Sequence, residues 1–129
     1  MPAIRTAGGG SIGKTSPVLA FRGSVGRPSH AYAASKGALL ALTRATAASY
    51  GRDRIRVNAI CPGTIRTRLT AGIIAGAERE AAKGRGIPFA RVGEPEDIAR
   101  CALLLGSDDA SWISGTERVV DGSVQTVGP

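Results

Sequence analysis

The nine residues Ile55–Gly63, with the sequence IRVNAICPG, give the clearest strand pattern in the chain and decide its predicted fold. Apolar side chains occupy every second position, as expected for a strand with one buried face: Ile55, Val57, Ala59 and Cys61. The Pro-Gly pair that closes the stretch ends the strand abruptly. Because helix-like segments stand on both sides of this strand, we expect strands and helices to alternate along the chain.

The longest predicted helix precedes that strand and runs from Ser29 to Tyr50. Ser29 follows Pro28 and is a suitable N-cap, and Gly51 is a suitable terminator. Small residues on this helix would let a second helix or another subunit approach closely: Ala33, Ala34, Gly37, Ala38 and Ala41. We therefore expect a homo-oligomer that forms through the helix carrying Tyr32.

Weaker patterns predict the remaining elements. The strands are Ser11–Ser16 and Arg118–Asp121, and the helices are Leu69–Lys83 and one beginning at Pro95. Loops or breaks are predicted over Phe21–Pro28, Gly84–Pro88 and Ser107–Ser111. The order strand, helix, strand, helix, helix, strand is typical of a parallel sheet covered by helices. The sequence therefore predicts an α/β fold with about three strands. The 129 residues are enough for one small domain.

Composition argues against several classes of function. The net charge is +7, but no run of five like charges occurs and only one Trp, two Tyr and two Phe are available for stacking, so nucleic-acid binding is not favoured. One histidine and two cysteines outside any ligand spacing predict no metal site and no Ser-His-Asp triad. No stretch resembles a signal segment or a membrane span, so we expect a cytoplasmic protein without a membrane partner.

Tyr32 and Lys36 carry the strongest chemical signal, because their four-residue spacing puts them on one face of the predicted helix. A free phenol keeps its proton until pH about 10, and making it a useful acid or base near neutrality takes roughly 4 kcal/mol. A unit charge about 4 Å away supplies a term of that size at an effective dielectric of 20, but only about 1 kcal/mol in bulk water. The pair is therefore predicted to transfer protons only in a partly dry cleft. The alternative is two surface residues on an alanine-rich helix.

A second motif, Gly8–Thr15, matches the G-x-x-x-x-G-K-S/T pattern of phosphate-binding P-loops. In that alternative, backbone N–H groups would hold a triphosphate, Lys14 would offset its charge and Thr15 would bind magnesium. The context is unfavourable, because Pro17 and Gly23 discourage the long helix that must follow a P-loop. The same glycines also fit G-x-G-x-x-G, but no acidic residue stands about twenty positions further on.

Five motifs, taken in order and spacing, resemble the C-terminal half of a short-chain dehydrogenase/reductase, and the resemblance runs from about Gly8 to about Gly122. They are Tyr32-x-x-x-Lys36, then Ile55–Gly63 with Ile65 and Thr67, Gly93-x-Pro95-Glu96-Asp97-Ile98-Ala99, Ser111-x-Ile113-Ser114-Gly115 and Val120-Asp121-Gly122. The resemblance implies half of a doubly wound Rossmann-type sheet, with residues 1–129 as a single truncated domain. It also implies an NAD(P)-dependent oxidoreductase that interconverts a ketone and a secondary alcohol.

The resemblance assigns roles to particular residues. Tyr32 would exchange a proton with the substrate oxygen, and Lys36 would favour the ionised phenol and hold the nicotinamide ribose. The loop from Pro62 to Thr67 would lie beside NAD or NADP, with Pro62, Gly63, the Ile65 backbone and the Thr67 side chain as contacts. Residues 69–88 would form a flap over a small carbonyl or alcohol substrate.

The chain departs from the family pattern in two ways that bear on activity. The half that holds adenosine and pyrophosphate in the family has no counterpart here, so we expect impaired cofactor binding and an inactive isolated chain. The family's catalytic serine falls at Pro17. The adjacent Ser16 is the candidate replacement, although its side chain would point to the opposite face of the strand.

A third, non-catalytic alternative is an oligomerisation module in which the helix carrying Tyr32 serves only as an interface. Three other residues have structural interpretations. Trp112 is expected to pack, His30 to be solvated, and Asn58 to satisfy local backbone groups.

Overall fold

The computed structural model describes residues 1–23, 28–82 and 86–126 of the chain. Its helices and strands are, in order, α1 (Pro2–Thr6), β1 (Gly10–Thr15), α2 (His30–Tyr50), β2 (Ile55–Pro62), α3 (Ala71–Ala82), α4 (Pro95–Gly106) and β3 (Glu117–Val120). Short 3-10 turns join them, among them Arg68–Thr70 before α3 and Asp108–Ala110 after α4. Parts of the predicted Phe21–Pro28 loop and Gly84–Pro88 break, and the predicted helix end at Lys83, lie outside the described residues.

The three strands form one parallel sheet in the order β1-β2-β3, so the predicted α/β fold with a three-stranded parallel sheet is confirmed. β2 is buried on both faces rather than on one. Leu40 of α2 packs on Ala59 and Cys61, while Leu105 of α4 packs on Ile60 from the other side. A central strand of a parallel sheet covered by helices on both faces is expected to be buried in this way.

α2 ends at Tyr50 with Gly51 as its C-cap, so the prediction that Gly51 terminates the helix is confirmed, although Gly51 is not left-handed. Gly51 keeps a right-handed helical conformation with φ −59°, and the chain continues through one 3-10 turn. The left-handed residue is Arg54, with φ 58°. Its carbonyl then accepts a hydrogen bond from Gly10 N at 3.1 Å, which joins the start of β1 to the start of β2.

Polar side chains fasten the sheet to the segments around it. Arg56 donates to the carbonyls of Leu105 and Ser107 at 2.7 and 2.9 Å, so its guanidinium caps the C-terminal end of α4. Asn58, which is fully buried, donates to Ile113 O at 2.8 Å and accepts from Thr116 N at 3.2 Å. The prediction that Asn58 satisfies backbone groups is confirmed.

The prediction that Trp112 packs is wrong, because its side chain is 99% exposed. It lies in the turn after Asp108–Ala110, where Ala110 is the residue buried against Leu105. His30 is exposed, as expected, at the start of α2.

Candidate active site

Tyr32 and Lys36 lie on one face of α2, within its first two turns. The Lys36 Nζ atom is 5.8 Å from the centroid of the Tyr32 ring, a distance at which a cation is attracted to the aromatic face. The Tyr32 side chain is 44% exposed. The predicted shared face is therefore confirmed, and the phenol is in contact with water.

Ser16 directly follows β1 and is completely buried. Its hydroxyl donates to the Lys36 carbonyl oxygen at 2.8 Å, so it ties the end of β1 to the second turn of α2. A hydroxyl held in this way does not face a substrate, and the prediction that Ser16 acts as the substrate's hydrogen-bond donor has no support in this geometry. Pro17, the next residue, has no hydroxyl to offer.

The Pro62–Thr67 loop leaves the end of β2 and is fixed by backbone contacts. Gly63 N donates to Val120 O at 3.0 Å, and a Cβ on Gly63 would stand 2.7 Å from that of Asp121, so only glycine fits this approach to the end of β3. Further along, Arg66 N donates to Gly93 O at 2.8 Å and Gly93 N to Thr64 O at 2.9 Å. These contacts fix the Pro62–Thr67 loop at the carboxyl edge of the sheet, and this loop is called the shelf below.

Ile65 anchors this shelf with a buried side chain. Its carbonyl accepts a hydrogen bond from the Thr70 hydroxyl. Among the residues that the structure describes, its N–H has no hydrogen-bond acceptor. One backbone donor at the rim of the sheet is thus available to a ligand.

Thr67 begins the 3-10 turn that leads into α3 and forms a capping box with Thr70. Thr70 Oγ1 accepts from Thr67 N at 3.0 Å, and the two hydroxyl oxygens are 3.1 Å apart. Thr67 is exposed at the end of the loop, with its hydroxyl held in this capping box.

The P-loop hypothesis does not fit the geometry. Six residues of the matching segment, Gly10–Thr15, form β1 and pair with β2 along their length, so their backbone groups are not wrapped around an anion site. Lys14 Nζ is directed to Thr46 Oγ1 on α2, at 3.5 Å. Only a three-residue 3-10 turn, Val18–Ala20, lies between β1 and Gly23, where a P-loop needs a long helix.

Three charged residues near the loop form a cluster that the sequence analysis did not predict. Arg66 pairs with Glu78 on α3, and its Nε donates to Glu94 Oε1 at 3.0 Å. These partners lie 12 and 28 positions from Arg66. Neither separation follows a helix or strand period, so no local signal was available.

A cavity of about 180 Å³ lies behind the shelf, lined by Thr64, Ile65, Phe89, Arg91, Asp97 and Asp121 among others. Its two carboxylates are already engaged. Asp97 pairs with Arg91 at 2.7 Å, and Asp121 accepts backbone N–H groups of Ser123 and Gln125. Neither Tyr32 nor Lys36 lines it, so this cavity is separate from the tyrosine–lysine pair.

No cluster of His, Cys, Asp and Glu within residues 1–23, 28–82 and 86–126 is suited to hold a metal ion. In the same part of the chain, no helix combines the length and apolar character that crossing a bilayer requires.

Comparison with known proteins gives the same family by sequence and by structure. A family model described as enoyl-(acyl carrier protein) reductase matches residues 2–124. The 3-oxoacyl-(acyl-carrier-protein) reductase FabG of Chlamydia muridarum is 39% identical over 123 residues, which are 95% of this chain and 48% of that protein. Cyclohexanol dehydrogenase of an Acinetobacter species is 37% identical over 123 residues, which are 95% of this chain and 46% of that protein.

Solved structures agree closely with the fold. A protein of Beutenbergia cavernae, crystallised with NADP bound at low occupancy, superimposes with a TM-score of 0.87 at 39% identity, covering 98% of this chain and 50% of that one. The TT0495 protein of Thermus thermophilus gives a TM-score of 0.88 at 36% identity, with coverages of 98% and 53%. The chain belongs to the short-chain dehydrogenase/reductase family, whose members are oxidoreductases on a Rossmann-type fold. It spans about half the length of the curated relatives that it matches.

Proposed function

We propose that this chain is the catalytic part of an NAD(P)-dependent short-chain dehydrogenase/reductase that interconverts a carbonyl compound and an alcohol. The observation that carries the proposal is the Tyr32–Lys36 pair, with the lysine nitrogen over the tyrosine ring on one exposed face of α2. Family membership supplies the reaction class. The pair supplies the proton donor that reduction of a ketone requires.

Tyr32 is the proton donor to the substrate oxygen in reduction and the proton acceptor in oxidation. Lys36 lies on the same face of α2, with its ammonium nitrogen 5.8 Å from the centroid of the Tyr32 ring. The attraction between two unit charges 4 Å apart is about 4 kcal/mol at an effective dielectric of 20, but only about 1 kcal/mol in bulk water. The mechanism therefore requires that the rest of a complete enzyme and the substrate cover the half-exposed Tyr32 and exclude water from it.

The residues around the shelf fit a nicotinamide cofactor. The shelf lies at the carboxyl edge of the sheet, which is where open α/β sheets bind their ligands. The available Ile65 N–H and the exposed Thr67 side chain offer two hydrogen-bonding groups next to the Pro62-Gly63 turn. A bound nicotinamide would supply or accept the hydride. Lys36 would hold its ribose hydroxyls.

Position 17 limits this chemistry. Pro17 offers no hydroxyl, and the buried Ser16 hydroxyl is committed to the Lys36 carbonyl. The substrate oxygen therefore has Tyr32 as its proposed donor, without a serine hydroxyl beside it. We propose that Ser16 positions α2, and that the chain has weak activity even when it is joined to the rest of a full-length reductase.

The isolated chain is proposed to be inactive and to bind NAD or NADP poorly, as one truncated domain. β1 is an edge strand of the three-stranded sheet and is largely exposed, whereas β2 is buried on both faces. In relatives of twice this length, further protein would be available to cover such an edge and hold the adenosine end of the cofactor. We also propose self-association through α2, whose Leu42 is 52% exposed beside small residues.

The test uses a hybrid in which this chain replaces the matching 123 residues of the Chlamydia muridarum reductase. NADH and NADPH oxidation is measured with a 3-oxoacyl thioester, cyclohexanone and a 3-oxosteroid. We expect no turnover by the isolated chain, weak turnover by the hybrid, and about 10²-fold more after Pro17→Ser, the usual worth of one donor to a developing oxyanion. A folded hybrid that binds NADPH but stays inactive with Pro17→Ser contradicts the proposal.

A further inference from the structure

Arg66 lies in the part of the shelf that is hydrogen-bonded to the loop containing Gly93. Its backbone N–H donates to Gly93 O, and Ile65 and Gly93 form a parallel bridge between the two loops. The loops approach so closely that a Cβ on Gly93 would lie 2.5 Å from Ile65 Cδ1. The backbone of Arg66 is therefore fixed relative to the sheet.

The guanidinium of Arg66 reaches two carboxylates on different helices. Its Nε donates to Glu94, which is the N-cap of α4 and is itself held in a capping box with Asp97. Its Nη2 pairs with Glu78, which belongs to α3. One arginine thus joins the shelf, the start of α4 and the middle of α3. Its contact with Glu94 stays at the start of α4, whereas its contact with Glu78 reaches α3.

Over residues 71–79, where the structure describes its side chains, α3 is also attached to the shelf and α4 by an apolar contact and by the turn that precedes it. Its apolar face rests, through Ile74 and Ala77, on Ile87 and Val92. Its N-terminal end is continuous with the Thr67–Thr70 capping box. The Arg66 and Glu78 side chains are 47% and 43% exposed. An ion pair of that exposure shifts an equilibrium by a small factor that depends on salt.

We infer that Arg66 is a positioning residue that clasps α3 to the cofactor shelf through Glu78, and so sets how often α3 covers the substrate. The assignment of α3 as the substrate cover rests on the proposed function. The clasp itself rests only on the contacts of Arg66. Opening the pair frees α3 while leaving Ile65, Gly93 and the Glu94 cap in place.

The clasp is tested on the whole 129-residue chain by hydrogen–deuterium exchange of the amides in residues 71–79. We expect Glu78→Gln and Arg66→Gln each to speed exchange about two- to fivefold, and the double variant to be no faster than the faster single one. Arg66→Lys should restore part of the protection. Arg68→Gln is the control, because it removes one exposed positive charge from the same turn. Unchanged exchange in Glu78→Gln, or additive effects in the double variant, would overturn the clasp.

The positioning role is measured in the active hybrid. Glu78→Gln should raise KM for the carbonyl substrate two- to fivefold and leave kcat within about twofold, with the effect vanishing at high salt. Faster exchange without a change in KM would show that the clasp exists but does not control substrate access. Because exchange is measured without turnover, loss of the proposed enzymatic function and loss of the clasp are distinguishable.

Discussion

The Ser16 hydroxyl donates a 2.8 Å hydrogen bond to the carbonyl oxygen of Lys36, the residue whose ammonium group stands over the Tyr32 ring. A buried side chain at the end of β1 therefore holds the backbone of the helix turn that carries the proposed proton-transfer pair. The position of Lys36 depends on the sheet as well as on α2. The proposed chemistry and the stability of the fold share this contact.

Ser16→Ala is expected to lower the free energy of unfolding by about 1–3 kcal/mol, because it removes a buried donor and leaves a void beside α2. Urea unfolding followed by circular dichroism measures the change. Ser35→Ala is the matched control, since its hydroxyl is exposed and bonds only to the nearby Tyr32 carbonyl. That variant should stay within about 0.5 kcal/mol of the parent. Equal losses in the two variants would contradict the role given to Ser16.

Asp97 predicts an acid-sensitive contribution to stability. The hydrogen-bonded Arg91 guanidinium, with the Glu94 N–H, lowers the pKa of Asp97 to about 2. In the unfolded chain an aspartate has a pKa near 3.9. Between those values the unfolded state binds the proton and the folded state does not, so this contribution is complete above pH about 4 and is lost as the pH falls toward 2.

The matching experiment compares urea midpoints at several pH values between 2 and 5. Asp97→Asn should flatten the dependence on pH in that window, whereas Asp108→Asn, at an exposed position in the turn after α4, should leave it unchanged. A parent and an Asp97→Asn variant with the same slope would show that this carboxyl does not titrate as described.

Cys61 is expected to resist thiol reagents. Burial, with a smaller effect from the Glu117 carboxylate, raises the pKa of the Cys61 thiol to about 11. At pH 8 its thiolate fraction is then roughly 200-fold below that of a free cysteine, whose pKa is about 8.5. Labelling of the Cys101→Ser variant with iodoacetamide isolates the Cys61 rate. Labelling of native protein at the rate of free cysteine would contradict the buried position, and labelling should become fast in urea.

Elements with a regular period were predictable from the sequence. The alternation over residues 55–61 and the capped alanine-rich segment over 29–50 correspond to β2 and α2 within one or two residues. The four-residue spacing of Tyr32 and Lys36 placed them on one helix face, and strand alternation turned Ser16 away from position 17. In each case the backbone geometry alone decides the result.

Features that depend on distant contacts were not predictable. The five residues of α1 show no periodic spacing of apolar side chains, so the sequence does not predict a helix there. Trp112 was expected to pack but is exposed. The sequence could not show this, because the exposure of so large an apolar side chain depends on what surrounds its turn. The Arg66 cluster combines residues from three segments, and only the folded chain brings Glu78 and Glu94 to the same guanidinium.

The most direct test of the proton-transfer assignment compares two tyrosines in the hybrid that carries Pro17→Ser. Tyr32→Phe should reduce kcat for ketone reduction about 10²- to 10⁴-fold while NADPH still binds. Tyr50→Phe should leave kcat within about twofold, because Tyr50 lies at the other end of α2 beneath the Arg5 guanidinium. A Tyr32→Phe enzyme that keeps the parent's turnover would contradict the assignment of Tyr32 as the proton donor.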